Sequence, residues 1–303
     1  TSKIVEVVKY EKLDLLHVHY AIPHASAAYL AKQILKEQGI HIPYITTLHG
    51  TDITLVGKEP EFEPTISFAI NQSDIVTSVS QSLKKDTYEH FNVSKDIKVV
   101  PNFVCVSKFR KDQDNCKKAL FAPEGEKILM HISNFRKVKR IQDVIKIHSI
   151  VSKTISTRLI LIGDGPERSS MERLAREEGV EESTYFLGKI KETEKALCLA
   201  DVYLMTSATE SFGVSALEAM ASGVPIISSN TGGIPEVNSH DETGFLSNVG
   251  DVEDMAENLT KLLTDAKLYA RLSLNAYKRA QQFNISNVLP LYEGLYNELL
   301  SKL

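Results

Sequence analysis

Short apolar, β-branched runs alternate with longer amphipathic stretches along almost the whole chain. That alternation restricts the fold to parallel sheets covered by helices on both faces. In the first third, strands are expected at Leu15–His19, Tyr44–Leu48, Ile75–Thr77 and Ile97–Val100, with helices near 24–37, 63–72 and 80–91 between them. Gly39 stands just past the first of these helices, where a glycine commonly ends one. A second series reads KILMHI (127–132), RLILIG (158–163), TYFLG (184–188), DVYLMT (201–206), PIISS (225–229) and GFLS (244–247) as strands. Its helices are expected over 139–153, 166–178, 192–199, 214–222, 251–264 and 266–282. Right-handed crossovers turn each series into a doubly wound α/β sheet. The length of 303 residues suits two such domains.

Between the two series, residues 101–126 carry Pro101, Pro123, Gly125 and many charges without a sustained period, and read as a linker containing a short helix. The final stretch, VLPLYEGLYNELLSKL, is a helix with a Leu/Tyr stripe. The domains expected are therefore 1–104 and 105–285, followed by a helix over 286–303. A net charge of −4 gives no global attraction to nucleic acid or anionic membrane, so any anion site is local. No run approaches the roughly 18 apolar residues of a membrane span. The opening TSKIVEVVKYEK has charges where the apolar core of a signal peptide would sit. The three cysteines, Cys105, Cys116 and Cys198, show no CxxC spacing, which argues against a disulfide framework and for a reducing, cytoplasmic compartment.

In doubly wound sheets ligands bind beyond the carboxyl ends of the strands. The segments there are HVHYAIPH (17–24), TLHGTD (47–52), ISNFRKVKR (132–140), GDGPE (163–167), TSATESFGVSALEAM (206–220) and SSNTGGIPE (228–236), all polar or Gly-rich. Glu210 and Glu218 form the most specific pair. Phe212, Gly213 and Val214 open a helix whose first amides lack intrahelical partners and suit phosphate oxygens. Glu218, two turns on, suits the vicinal diol of a ribose, and Glu210 suits sugar hydroxyls. Asn134, Arg136, Lys137, Lys139 and Arg140 follow a strand. A cation there stabilises the charge that develops on a departing diphosphate, with Lys139 first and Arg136 second in order of fitness. Gly163 and Gly165 around Asp164 make a tight, approachable turn that does not complete a dinucleotide fingerprint. Gly232-Gly233 reads equally as a backbone nest or an ordinary turn. His17, His19 and His24 match no zinc spacing and read as a polar strand end, so no metal site is expected. His49 is the single histidine best placed to donate to a sugar hydroxyl.

The segments LHVHYAIPHA, TTLHGTDIT, NQSDIVTSVSQSL, HISNFRKVKR, GDGPE, ESFGVSALEAMASGVP and GGIPEV together resemble retaining glycosyltransferases of the GT-B fold. Within them they resemble the bacillithiol-pathway branch that joins N-acetylglucosamine to L-malate. The resemblance implies two Rossmann-like domains, UDP-N-acetylglucosamine as donor, the hydroxyl of L-malate as acceptor, no metal and no separate cofactor. It implies that Glu218 holds the ribose, Glu210 the donor sugar, Lys139 the diphosphate, and that His49 stands beside the sugar. Gly188 and Lys189 fall where backbone groups read the base, and Tyr20 and Thr51 where the acceptor binds. The family's usual Arg five positions before the Lys is here Asn134, so Arg136 or a group of the first domain is expected to substitute. It also implies that about eighty residues of an N-terminal strand and Gly-rich loop are missing, that the chain is impaired without them, and that 286–303 returns to the first domain. Lys84, Lys85 or the missing segment would face the acceptor carboxylates. A UDP-N-acetylglucosamine 2-epimerase on the same scaffold and a non-catalytic nucleotide-sugar-binding protein remain alternatives, and a homo-oligomer is left open.

Overall fold

The computed structural model describes residues 1–55, 59–109 and 118–301. The chain divides into two compact units, Thr1–Asn102 with Ser286–Leu303, and Phe103–Ile285. The first unit runs α1 (Ser2–Glu11), β1 (Leu16–His19), α2 (Ser26–Lys36), β2 (Tyr44–Leu48), α3 (Glu63–Gln72), β3 (Ile75–Ser78), α4 (Gln81–His90) and β4 (Ile97–Val99). Its strands lie in the order β1-β2-β3-β4, all parallel. Strand β2 is buried along its whole length, so it needs cover on both faces. Tyr44 packs with Ala25, Ala28 and Ala69 on one side. Ser80 caps α4 by accepting from the amide of Leu83, which fixes where the chain turns out of β3.

The second unit runs β5 (Lys127–Ile132), α5 (Ile141–Ser152), β6 (Thr157–Ile162), α6 (Arg168–Glu177), β7 (Thr184–Gly188), α7 (Thr193–Leu197), β8 (Val202–Met205), α8 (Val214–Ala221), β9 (Ile226–Ser229), β10 (Gly244–Ser247), α9 (Val252–Thr264) and α10 (Ala266–Gln282). The six parallel strands lie in the order β10-β9-β8-β5-β6-β7. The chain therefore winds outward from β5 to β7, returns to the other side of β5, and winds outward again to β10. The reversal creates a crevice between the carboxyl ends of β5 and β8. One face packs Leu129, Leu159, Leu161, Val202 and Leu204 against Ile141, Val144, Ile145 and Met171 of the flanking helices, with Met255, Leu259 and Leu272 extending the same core. Asp251 and Asp265 cap α9 and α10 through the amides of Asp254, Lys267 and Leu268.

The last helix, α11 (Ile285–Leu300), lays Val288, Leu295 and Leu299 on Ile45, Ile75 and Val100. Ile45 follows Tyr44 and points to the opposite sheet face. Helix α11 thus covers the face of the first sheet that α2 and α3 leave open. The argument against a disulfide framework needs one correction. Cys105 is free, but Cys198 is disulfide-bonded; an odd count and the absence of CxxC do not exclude a single pair. Cys116 lies outside the described residues.

Candidate active site

At the reversal of the second sheet, β5 and β8 register through only Leu129↔Val202 and Met130↔Tyr203, whereas β5 and β6 pair along their whole length. Beyond Met130 the two strands are linked by side chains instead. The Tyr203 hydroxyl accepts from the Ile132 amide at 3.1 Å and donates to the Ile132 carbonyl at 3.0 Å. Burial pushes its pKa above the usual phenol value. The buried His131 ring reaches the Leu204 carbonyl at 2.8 Å through Nδ1 and Ser133 Oγ at 2.7 Å through Nε2.

The cationic loop after β5 makes one tight turn at Lys137–Lys139, closed by Arg140 at φ 50°. Strand β8 and its loop fasten that turn in place. Thr206 Oγ1 lies 3.1 Å from the Lys139 carbonyl and 2.9 Å from that of Arg140, and the Ala208 amide donates to the Val138 carbonyl at 2.8 Å. The result is that Lys139 Nζ meets Glu210 Oε2 at 2.6 Å, with the side chains 21% and 18% exposed. Two residues drawn separately from the sequence thus form one ion pair at the mouth of the crevice. Arg140 instead holds Asp143 at 2.5 Å, which gives it a structural occupation. Arg136, Lys137 and Asn134 are exposed, and Arg136 has no salt-bridge partner among the described residues.

Glu210 is followed by Phe212, whose buried ring packs edge-on against Phe283 at 5.6 Å. Gly213 at φ 97° starts α8 without a side-chain cap, so the first amides of the helix are open to a ligand. Val214 is exposed at that end. Glu218 is half-buried, and its carboxylate has no hydrogen-bond partner among the described residues. Burial, followed by the charge of Glu194, holds its pKa above the usual carboxylate value.

Two glycine pairs owe their identity to close packing. A Cβ on Gly163 would stand 1.7 Å from the Ser133 carbonyl oxygen, and one on Gly165 2.5 Å from that of Phe135. A Cβ on Gly232 or Gly233 would meet the backbone oxygens of Glu210 and Ser211 at 2.1 and 2.2 Å. Both pairs therefore press one loop of the crevice against the next, and at Gly232-Gly233 the Gly233 amide donates to the Glu210 carbonyl at 2.8 Å. The Gly188 carbonyl accepts from the Gly163 amide at 2.8 Å, and Lys189 beside it is exposed.

In the first unit, His19 Nδ1 and His49 Nε2 are 2.8 Å apart, and His17 stacks on His19 at 4.7 Å. His17 is held by Tyr296 and Thr47 at 2.8 and 2.7 Å. Burial, then neighbouring histidines, lowers His17 and His49 to about 4, so both rings are neutral near pH 7. His24 Nδ1 donates to the His19 carbonyl at 2.6 Å. A cavity of about 320 Å³ lies beside this cluster, lined by Tyr20, Ile22, Pro23, Thr51 and Asp52. Tyr20 and Thr51 share it. The buried Asp52 accepts from the Ala21 amide at 2.5 Å and so ties the two loops of the cavity together; burial raises its pKa. Lys84 and Lys85 are engaged with Asp96 and Glu89 at 3.2 and 3.6 Å.

A family model described as glycosyl transferases group 1 matches residues 112–279, more than half of the chain. The chain belongs to the group 1 glycosyltransferases. A second family model, glycosyltransferase family 4, matches residues 1–108 of this glycosyltransferase. It is 44% identical over 301 residues to the N-acetyl-alpha-D-glucosaminyl L-malate synthase of Bacillus anthracis, covering 99% of this chain and 78% of that protein. It is 25% identical to a D-inositol 3-phosphate glycosyltransferase of Corynebacterium urealyticum, covering 94% and 72%. Among solved structures, a sucrose-phosphate synthase from Thermosynechococcus elongatus superposes with a TM-score of 0.85 at 22% identity, covering 100% of this chain and 78% of that one. Anabaena HepE in complex with UDP-glucose also gives 0.85, at 20% identity with coverage of 100% and 82%. The fold of this glycosyltransferase is GT-B, built from two parallel-sheet α/β domains. The expected missing N-terminal segment is not established by these coverages. None of the described helices is long and apolar enough to cross a membrane.

Four contributors to this geometry were not singled out from sequence: His131, Thr206, Tyr203 and Asp52. His131 carried a visible signal, being a ring with two polar nitrogens inside the apolar run KILMHI.

Proposed function

We propose that this glycosyltransferase moves N-acetylglucosamine from UDP-N-acetylglucosamine to the hydroxyl of L-malate, with retention at the anomeric carbon and without a metal. The observation that carries the reading is the Lys139–Glu210 pair at 2.6 Å beside the uncapped start of α8. Lys139 and the α8 amides would meet the diphosphate, Glu218 the ribose, and Glu210 the hydroxyls of the sugar. The identity of 44% to the Bacillus anthracis L-malate synthase supports the choice of sugar and acceptor. The similarity to HepE, solved as a complex with UDP-glucose, supports the choice of nucleotide.

The step proposed is front-face displacement. The bond from the anomeric carbon to the phosphate oxygen breaks, the malate hydroxyl oxygen bonds to that carbon on the same face, and its proton passes to the departing phosphate oxygen. UDP and the glycoside then account for every atom. Charge grows on the leaving diphosphate, so preorganised donors around it lower the barrier more than they stabilise the bound donor. The Tyr20–Thr51 cavity of the first unit is assigned to the acceptor, and His49 to a sugar hydroxyl. The test is the full-length gene product with UDP-N-acetylglucosamine and a panel of hydroxy acids, with chelator in one arm. Selective formation of an N-acetylglucosaminyl malate of retained configuration, unaffected by chelator, is expected. A 2-epimer formed without malate, equal use of all acids, or binding without turnover would each overturn the assignment.

A further inference from the structure

The buried His131 stands near the end of β5, two residues before Ser133 at the start of the cationic loop, and its hydrogen bonds fix which nitrogen carries the proton. A carbonyl oxygen can only accept, so the bond to Leu204 puts the proton on Nδ1. Burial lowers His131 to about 4, with the charge of Lys139 adding to the effect, so the ring is neutral and Nε2 has only a lone pair. The Ser133 hydroxyl, 2.7 Å from Nε2, must then donate to it. The Ser133 amide is committed to the Ile162 carbonyl at 3.0 Å, and its own carbonyl is pressed onto Gly163. Every hydrogen that Ser133 could offer a phosphate is therefore occupied. The residue that opens the loop to Lys139 is fixed from β6 through its backbone and from β8, through His131, by its side chain.

We infer that His131 is a positioning residue: through the hydrogen bond it accepts from the Ser133 hydroxyl it sets the start of the Ser133–Lys139 loop, and hence the approach of Lys139 to the diphosphate of the donor. The inference rests on the nucleotide-sugar reading above. A merely structural histidine would stitch β5 to β8 and do nothing to the loop. The two roles sit on different nitrogens, so they separate by substitution. In His131→Asn the amide nitrogen occupies the place of Nδ1 and keeps the Leu204 bond, while the contact with Ser133 is lost. In His131→Gln the terminal amide reaches the place of Nε2, where its oxygen accepts from Ser133, while the Leu204 bond is lost.

The experiment measures kcat and KM for UDP-N-acetylglucosamine, together with Tm, for the wild type, His131→Asn, His131→Gln, Ser133→Ala and the His131→Asn/Ser133→Ala double variant. Loss of the Ser133 contact is expected to lower kcat by about tenfold, the ordinary effect of one lost buried hydrogen bond. His131→Asn and Ser133→Ala should fall equally, and the double variant no further, because both cut the same link. His131→Gln should keep most of kcat while losing Tm. Additive losses in the double variant, or kcat tracking Tm across the set, would overturn the inference. A wild type that turns over no UDP-N-acetylglucosamine would instead overturn the donor assignment. The same non-additivity, read from the dissociation constant of UDP by calorimetry, would then decide the role of His131.

Discussion

Replacing Lys139 by Met removes one charge of the crevice and keeps the length of the side chain. Two unit charges at the observed 2.6 Å attract by roughly 6 kcal/mol at an effective dielectric of about 20. The desolvation of two side chains that are only about one-fifth exposed offsets most of that attraction. The net worth of the intact pair is therefore small, about 1 kcal/mol, but Lys139→Met alone leaves the Glu210 charge unpaired and should cost more, roughly 2–3 kcal/mol. The effect on catalysis is of a different order. A preorganised donor facing developing charge typically contributes about 3–4 kcal/mol to the transition state, so kcat should fall by roughly 10²–10³. The Lys139→Met/Glu210→Gln double variant separates these effects, since removing both charges leaves neither unpaired. Its Tm should return toward the wild-type value while kcat stays depressed. Initial rates of UDP release and thermal melts on the wild type and the two variants make the measurement. A Lys139→Met enzyme within threefold of the wild-type rate, or a double variant that regains activity with stability, would refute the argument that the lysine acts on the leaving group.

Further outcomes follow from the same geometry. Glu218→Gln should weaken UDP binding by roughly 10-fold or more, the worth of a hydrogen bond to a charged acceptor, by calorimetry; because the Glu218 pKa is raised, wild-type affinity should begin to fall at a higher pH than for an ordinary carboxylate. His131 and His148 are buried and lowered to about 4 from 6.5, so the unfolded chain binds more protons in that window; each contributes on the order of 3 kcal/mol, fully present above pH 6.5 and lost as pH falls toward 4. Urea melts of the wild type and His148→Gln at pH 7.5, 5.5 and 4.5 check this, and a flat wild-type profile would contradict it. Gly163→Ala, which drives a Cβ to 1.7 Å from a backbone oxygen at φ 131°, should destabilise by about 3 kcal/mol or more, whereas Gly294→Ala, in α11 with no neighbour within 4 Å, should stabilise by roughly 0.5–1 kcal/mol.

Much of the scaffold was legible because strands buried on both faces leave an unmistakable record. The expected Tyr44–Leu48, KILMHI, TYFLG and GFLS coincide with β2, β5, β7 and β10, and the other strands differ by a residue or two at their ends. The Glu210–Glu218 spacing was equally readable, since a helix start after a strand is a local feature. Strand order is not local. Nothing in the sequence says that the loop after β5 lies beside the loop after β8, so Lys139 and Glu210 could each be selected but not paired. Gly163 illustrates the same limit: its identity is dictated by the Ser133 carbonyl, thirty residues earlier, across a sheet edge. His131 stands out as a polar ring inside an apolar run, but its role is not legible until its partners are known, the Leu204 carbonyl on β8 and the Ser133 hydroxyl just past the end of β5. Tyr20 and Thr51 entered through resemblance alone, and it is the cavity of the first unit that places them together.

The most direct test of the whole reading is a crystal of the protein soaked with UDP. The diphosphate should lie between Lys139 and the first amides of α8, with Glu218 within hydrogen-bond distance of both ribose hydroxyls. Phosphates bound elsewhere, with that crevice empty, would contradict the account.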